Sequence, residues 1–128
     1  MTAESNQKTI VVIEDDQDFI NLIMLMLSDA GKLVIPAVGG HAGLKAVEDY
    51  KPDLILLDLM MADLHGWEVY MRLKSDERYK DIPIIVVTAL ASRYDRTFAT
   101  QVAKVHDYIT KPFMPSYLRQ SVAHALTH

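Results

Sequence analysis

Five polar residues stand directly after runs of apolar and β-branched residues. Glu14 and Asp15 follow Thr9–Ile13, Asp58 follows Leu54–Leu57, Thr88 follows Ile82–Val87, and Lys111 follows the weaker run Val105–Thr110. If these runs are strands of one parallel sheet, the five side chains converge at its carboxyl edge. Three carboxylates gathered there repel, at about 4 kcal/mol for a pair ~4 Å apart in an effective dielectric near 20. Lys111 offsets one of the charges. The remaining excess either raises carboxyl pKa values or draws in a divalent cation. Oxygen donors without His or Cys suit a hard ion, and few carboxylates completed by water suit magnesium better than calcium. A cation, a carboxylate at a strand tip, a hydroxyl and an ammonium together make a phosphoryl-transfer site. The carboxylate would act as nucleophile and become an acyl phosphate, while the other groups hold the phosphoryl oxygens. Taken singly, a strand-terminal Asp is more often a helix cap or a turn former. The joint placement at four strand ends carries the inference.

Convergence of this kind requires strands that alternate with helices, and the pattern supplies five such units. Helical stretches are predicted over Asp18 to Ala30, where Gly31 is a suitable stop, then about 41–50 after Gly39-Gly40, Gly66 to Ser75, Arg93–Ala103, and Ser116–Leu126 behind Pro115. Leu33–Val38 reads as the second strand, and Pro36 in its middle assigns it to a sheet edge. Strands 1, 3 and 4 are apolar on both faces, as a parallel sheet covered by helices on both sides requires. The prediction is a single-domain α/β doubly wound (βα)5 fold, with a five-stranded parallel sheet in the order 2-1-3-4-5. Residues 1–8 form a polar N-terminal tail and 9–128 the domain.

The chain has 128 residues, 13 basic and 17 acidic side chains for a net charge of −4, and no cysteine. That length supports one domain with a sizeable core. The lack of Cys removes disulfides, thiol catalysis and Cys-ligated metal. Mild acidity argues against direct nucleic-acid binding and against an anionic membrane surface. The longest purely apolar run, Leu22–Leu27, is far too short to span a bilayer, and Met1–Lys8 lacks the apolar stretch of a signal peptide. A cytoplasmic location is expected. The five histidines show no metal-ligand spacing, and His65 and His106 read as solvated surface residues.

Four segments carry a family resemblance: Val12-Ile13-Glu14-Asp15-Asp16, Asp53-Leu54-Ile55-Leu56-Leu57-Asp58, Val86-Val87-Thr88-Ala89 and Tyr108-Ile109-Thr110-Lys111-Pro112-Phe113. In this order, and over about residues 8–126, the chain resembles the receiver domains of two-component response regulators. The resemblance implies that Asp58 is the phosphoacceptor, loaded from a sensor histidine kinase or a histidine phosphotransfer protein. It implies a Mg²⁺ cofactor held by Glu14, Asp15, Asp58 and the backbone carbonyl of Met60, with Asp16 outside the metal set. Thr88 would be the switch hydroxyl, Lys111 the partner of the phosphoryl oxygens, and Tyr108 the aromatic switch that turns inward after Thr88 moves. The Lys111-Pro112 bond is expected to be cis. The domain would catalyse its own phosphorylation and dephosphorylation without being an enzyme in the turnover sense, and would signal to a downstream protein target as a monomer or weak homodimer.

The resemblance has departures. The loop after Asp58 reads Met61-Ala62-Asp63-Leu64-His65-Gly66, with Ala62 and His65 in place of the family's frequent Pro and Asp, an exchange expected to loosen it. The stretch from Thr88 to Lys111 is one residue longer than its commonest form. On a helical wheel Phe19, Leu22, Ile23, Met26, Leu27 and Ala30 form the core face of helix 1. Met24 and Leu25 fall outside it, as a candidate surface for a kinase or phosphotransfer partner. Trp67, beside the loop after Asp58, is a candidate fluorescence reporter of binding. No output module follows the last helix, which predicts a stand-alone receiver; the alternatives are a receiver excised from a hybrid kinase or longer regulator, and a phosphorylation-independent pseudo-receiver. A dehalogenase-like phosphohydrolase would need an acid two residues after the nucleophile, where this chain has Met60.

Overall fold

The computed structural model describes residues 7–29 and 31–127. Five strands, β1 (Lys8–Glu14), β2 (Lys32–Val38), β3 (Leu54–Leu57), β4 (Ile84–Thr88) and β5 (Asp107–Thr110), form one parallel sheet in the order β2-β1-β3-β4-β5. The helices between and after them are α1 (Gln17–Leu27), α2 (Gly40–Tyr50), α3 (Gly66–Lys74), α4 (Arg93–Thr97) and α5 (Pro115–Thr127). The doubly wound architecture expected from the sequence is therefore the one observed. Pro36 lies on the edge strand, opposite Val12, where its missing N–H leaves no ladder bond broken.

Strand residues alternate between two cores, because successive side chains leave opposite faces of a sheet. Ile10, Val12, Leu54, Leu56, Ile85 and Val87 point to the side covered by α1 and α5, and meet Ile23, Leu27, Leu118 and Val122. Val11, Ile13, Ile55 and Leu57 point to the other side and meet Ala46, Val47, Val69 and Leu73 of α2 and α3. Burying each large aliphatic side chain is worth about 1.5–3 kcal/mol. These two cores fix the height of each strand, and so the level at which each strand end emerges.

Several boundaries differ from the sequence reading, each for a local reason. Helix α1 stops at Leu27 with Ser28 extended as its cap, short of the predicted end at Ala30, which lies outside the described residues. Ile20 is buried in the core, whereas Leu22 is 44% exposed, so the buried face is rotated from the predicted one. The first strand starts at Lys8, which pairs with Lys32; residues 1–6 of the predicted tail lie outside the described residues. β4 starts at Ile84, since Pro83 has no N–H to give the ladder. β5 starts at Asp107 because Lys104, at φ 56°, makes a left-handed turn just before it.

The helix predicted over Arg93–Ala103 is helical throughout but not α-helical throughout. After Thr97 it widens into a π-helical segment, Phe98–Ala103. Phe98 packs edge-on against Trp67 with ring centroids 4.8 Å apart, and the Tyr70 hydroxyl donates to the carbonyl of Ala103. Trp67 also packs on Tyr70, at 5.6 Å, so it sits in the joint between α3 and the helix after β4.

The turn that returns the chain from β3 to α3 depends on Gly66. A Cβ there would lie 2.4 Å from the Asp58 carbonyl oxygen and 2.5 Å from the Leu59 Cα. Both are backbone atoms with no room to yield. His65 caps α3, its Nδ1 accepting from the Trp67 N–H at 3.1 Å, so it anchors this loop where the sequence reading expected a loosened one. Gly66→Ala is expected to destabilise the protein by about 2–3 kcal/mol, read as a lower urea midpoint; an unchanged midpoint would show that the turn can open without cost.

Candidate functional site

Four of the five strands end at a residue the sequence singled out. Glu14 is the last residue of β1, Asp58 follows β3, Thr88 closes β4, and Lys111 follows β5. Strands β1 and β3 are neighbours at the point where the winding reverses, with Ile13 opposite Leu57. That register brings Glu14 and Asp58 side by side. Asp58 is 5% exposed, Glu14 3%, and Thr88 fully buried.

Lys111 holds the acids together. Its Nζ donates to Glu14 Oε1 at 2.7 Å and reaches Asp58 Oδ2 at 3.5 Å. The same ammonium lies 3.9 Å from the centroid of the Phe19 ring, and Phe19 is braced edge-on by Phe113. The Lys111-Pro112 peptide is cis, as expected. The second Glu14 oxygen, Oε2, accepts from the backbone N–H of Asp15 at 2.8 Å and of Asp16 at 3.1 Å. Both oxygens of Glu14 are thus engaged within the protein.

Asp15 turns the other way. It is exposed, and its Oδ2 accepts from the Ala62 N–H at 3.0 Å, tying the end of β1 to the loop after β3. Asp58 Oδ1 accepts from the Met60 N–H at 3.2 Å. The sequence reading gathered three carboxylates at one point; in the structure, among the described residues, no three His, Asp or Glu side chains form a metal cage. The Lys111 ammonium offsets charge between Glu14 and Asp58, and the Ala62 N–H engages Asp15 separately, which relieves the repulsion between the acids. What remains between Asp15, Asp58 and the Met60 backbone is a set of few oxygen donors. That set fits magnesium, which keeps several waters and takes one or two carboxylates. Asp16 caps α1 instead, its Oδ1 accepting from the N–H of Asp18 and Phe19.

Thr88 Oγ1 accepts from the Leu90 N–H at 3.3 Å, which leaves its hydroxyl hydrogen available to a new acceptor. Tyr108 is already turned inward: it is 4% exposed and donates from its hydroxyl to the Leu90 carbonyl at 2.6 Å. Arg96 explains that posture, a residue the sequence reading missed. Its guanidinium lies 4.9 Å from the Tyr108 ring centroid and donates to Thr110 Oγ1 at 2.6 Å. A cation over an aromatic face stabilises it by about 0.5–1 kcal/mol or more. Nothing in the sequence spacing of Arg96 and Tyr108 marks them as partners. Met60, Met61, His65 and Leu90 line a shallow hollow between the loops after β3 and β4. The side proposed for partner contact is mixed: Leu25 is 76% exposed, Met24 is half-buried, and Leu22 joins Leu25 on the open face.

Burial raises the Glu14 carboxyl above its ordinary value of 4.5, and the Lys111 hydrogen bond only partly opposes it. A raised folded-state pKa favours the protonated acid in the fold, so stability falls as pH rises through that pKa, beginning above about 4.5. In EDTA, the melting temperature of the wild type relative to Glu14→Gln is expected to drop between pH 4 and 7. A difference that stays flat would mean that Lys111 compensates the burial in full.

Comparison with known proteins agrees with this geometry. Residues 10–123 match the model of the response regulator receiver domain. The chain is 39% identical over 104 residues to the DNA-binding dual master transcriptional regulator RpaA of Synechocystis, covering 81% of this chain and 43% of that protein. It is likewise 39% identical over 111 residues to the phosphate regulon transcriptional regulatory protein PhoB of Pseudomonas aeruginosa, covering 87% and 48%. The chain therefore spans less than half the length of these curated relatives. A receiver domain protein of Methanospirillum hungatei superposes with a TM-score of 0.85 at 26% identity, over 94% of each chain. With acids, hydroxyl and lysine at the strand ends of this fold, and the family match across nearly the whole chain, the protein belongs to the response regulator receiver domain family of two-component systems.

Proposed function

We propose that this chain accepts a phosphoryl group on Asp58 from a phosphohistidine and uses it to switch a protein-binding surface. The observation that carries the reading is a buried Asp58 carboxylate with a lysine ammonium 3.5 Å away and a buried Thr88 on the neighbouring strand. An Asp58 oxygen attacks phosphorus, the P–N bond of the phosphohistidine breaks, and the imidazole leaves as neutral histidine after taking up a proton. Magnesium would be held by Asp15, Asp58 and the Met60 carbonyl, with Glu14 at one remove through its pairing to Lys111. When bound, it supplies positive charge against the phosphoryl oxygens. Lys111 is positioned to turn from Glu14 toward those oxygens, and Thr88 to donate its hydroxyl to one of them. The product carries about −2 in place of the carboxylate's single charge. Thr88 precedes the loop that accepts the Tyr108 hydroxyl, so a shift of Thr88 is felt by Tyr108, Arg96 and the helix after β4. Hydrolysis of the acyl phosphate by the same groups resets the switch, and no turnover of other substrates is assigned to the chain.

The donor on this reading is a sensor histidine kinase or a histidine phosphotransfer protein in the cytoplasm. The recipient of the signal is a protein met by the monomer or a weak homodimer, without direct nucleic-acid or membrane contact. No helix among the described residues is long and apolar enough to cross a membrane. A second reading has specific support: the relatives, two of them named as transcriptional regulators, are more than twice as long as their matched portion. On that reading the chain is the receiver portion of a longer regulator or hybrid kinase, with the same chemistry at Asp58. A phosphorylation-independent pseudo-receiver is disfavoured by the retained Glu14, Asp15, Asp58, Thr88 and Lys111.

Incubation with magnesium and acetyl phosphate is expected to add one phosphoryl mass to the wild type and none to Asp58→Asn. A wild type that gains nothing, or a variant that gains as much, would overturn the assignment. Met24→Lys with Leu25→Lys is expected to slow transfer from the cognate kinase at least tenfold while leaving acetyl phosphate labelling unchanged. Equal kinase rates would remove α1 from the docking surface.

A further inference from the structure

The loop from Asp58 to Gly66 carries the Met60 carbonyl, and its backbone reaches both carboxylates that face the metal position. The Met60 N–H donates to Asp58 Oδ1 at 3.2 Å, and the Ala62 N–H donates to Asp15 Oδ2 at 3.0 Å. The far half of this loop is fixed without help from Asp15. Asp63 accepts from the Gly40 and His41 N–H groups at 2.9 and 3.0 Å, and the Gly66 N–H donates to the Leu59 carbonyl at 2.9 Å. Ala62 is therefore held by its chain neighbours, and Asp15 is the partner that must be oriented. Its side chain is exposed, and the bond from Ala62 is its one hydrogen bond among the described residues. Without that bond the carboxylate is free to exchange among its rotamers.

We propose that the Ala62 N–H is a positioning group that limits Asp15 to one metal-facing oxygen and so makes the site select magnesium over calcium. The inference rests on the assignment of Asp15, Asp58 and the Met60 carbonyl to magnesium. With Oδ2 turned to the Ala62 N–H, Oδ1 is the Asp15 oxygen left for a cation. The Met60 N–H acts in the same way on Asp58, whose Oδ2 faces Lys111 at 3.5 Å. Each carboxylate then offers a single oxygen beside the Met60 carbonyl. Magnesium, which keeps several waters in a near-octahedral shell, is served by such a set. Calcium takes about 6–8 oxygens at longer distances and gains from carboxylates that present both oxygens. A group that orients a ligand without touching the ion commonly accounts for about 10–100-fold in metal affinity. The bond joins residues 47 apart in sequence, so no local motif announces it. Because the donor is backbone, every side chain at this position supplies it except proline.

The test replaces the amide between Met61 and Ala62 by an ester, which removes this N–H and leaves every side chain in place. Magnesium chloride and calcium chloride are titrated separately into the full chain, wild type and ester, followed by NMR of the backbone amides. The ester is expected to bind magnesium at least about tenfold more weakly while calcium affinity holds or rises, so that selectivity between the ions falls. Ala62→Pro, which also lacks the donor, should shift selectivity in the same direction, and Ala62→Gly, which keeps it, should retain the wild-type preference. Unchanged magnesium affinity in the ester would overturn the proposal. So would an equal loss for both ions, which would mean that the bond only stabilises the loop. A wild type that binds neither ion would instead overturn the assignment of magnesium to Asp15 and Asp58, and the inference with it.

Discussion

The structure turns on one ammonium. Lys111 sits against two buried carboxylates at the carboxyl edge of the sheet, and its ammonium lies over the face of Phe19. Removing one partner of a buried ion pair leaves an uncompensated charge at about 3–5 kcal/mol, so each of these groups constrains the others. Glu14 and Lys111 are 97 residues apart in sequence. Only a fold that places β1 next to β3, and β5 two strands away with its end turned inward, can satisfy both. The apolar strands supply the stability, and the ionic cluster at their ends draws on it.

That arrangement bears on how a phosphoryl group on Asp58, as proposed, would be felt elsewhere. The carboxylate is connected through Lys111 to β5, while Thr88 and the Tyr108 hydroxyl both meet the backbone of Leu90 in the loop after β4. Tyr108 is in turn clasped by Arg96, which reaches past it to Thr110. Electrostatics at the strand ends thus passes into side-chain packing on one flank of the molecule. On the opposite flank, built on α2, Asp63 caps the helix by accepting from the Gly40 and His41 N–H groups, which holds the loop after Asp58 to a fixed neighbour.

Much of this was legible in the sequence. Strand runs apolar on both faces, Pro36 at an edge, and polar residues at four strand ends were enough for the sheet order and for Glu14, Asp58, Thr88 and Lys111. What could not be read depends on how distant side chains divide their hydrogen bonds. Glu14 and Asp15 are adjacent and both acidic, yet one is captured by Lys111 and the other by the Ala62 N–H. The helix wheel misplaced Leu22 and overlooked Ile20, because a greasy helix carries apolar residues on more than its buried face. His65 looked like the loss of a loop-stabilising residue, but an imidazole nitrogen caps a helix N-terminus as a carboxylate does. The pairing of His106 with His124, ring nitrogens 3.1 Å apart, needed the antiparallel course of α5 along β5 before spacing alone meant anything.

The widened helical segment Phe98–Ala103 bears on how this chain tolerates a difference in length. A π-helical turn takes up more residues than an α-helical one for about the same advance along the axis. An additional residue between β4 and β5 can therefore be stored as girth, without lengthening the connection. Beyond it β5 still pairs in step with β4, Ile85 opposite Asp107 and Thr88 opposite Thr110. Lys111 consequently arrives at the acids on schedule. The helix serves as a spool, and the slack wound onto it is what allows the intervening sequence to drift while the ionic contact at the sheet edge keeps its place.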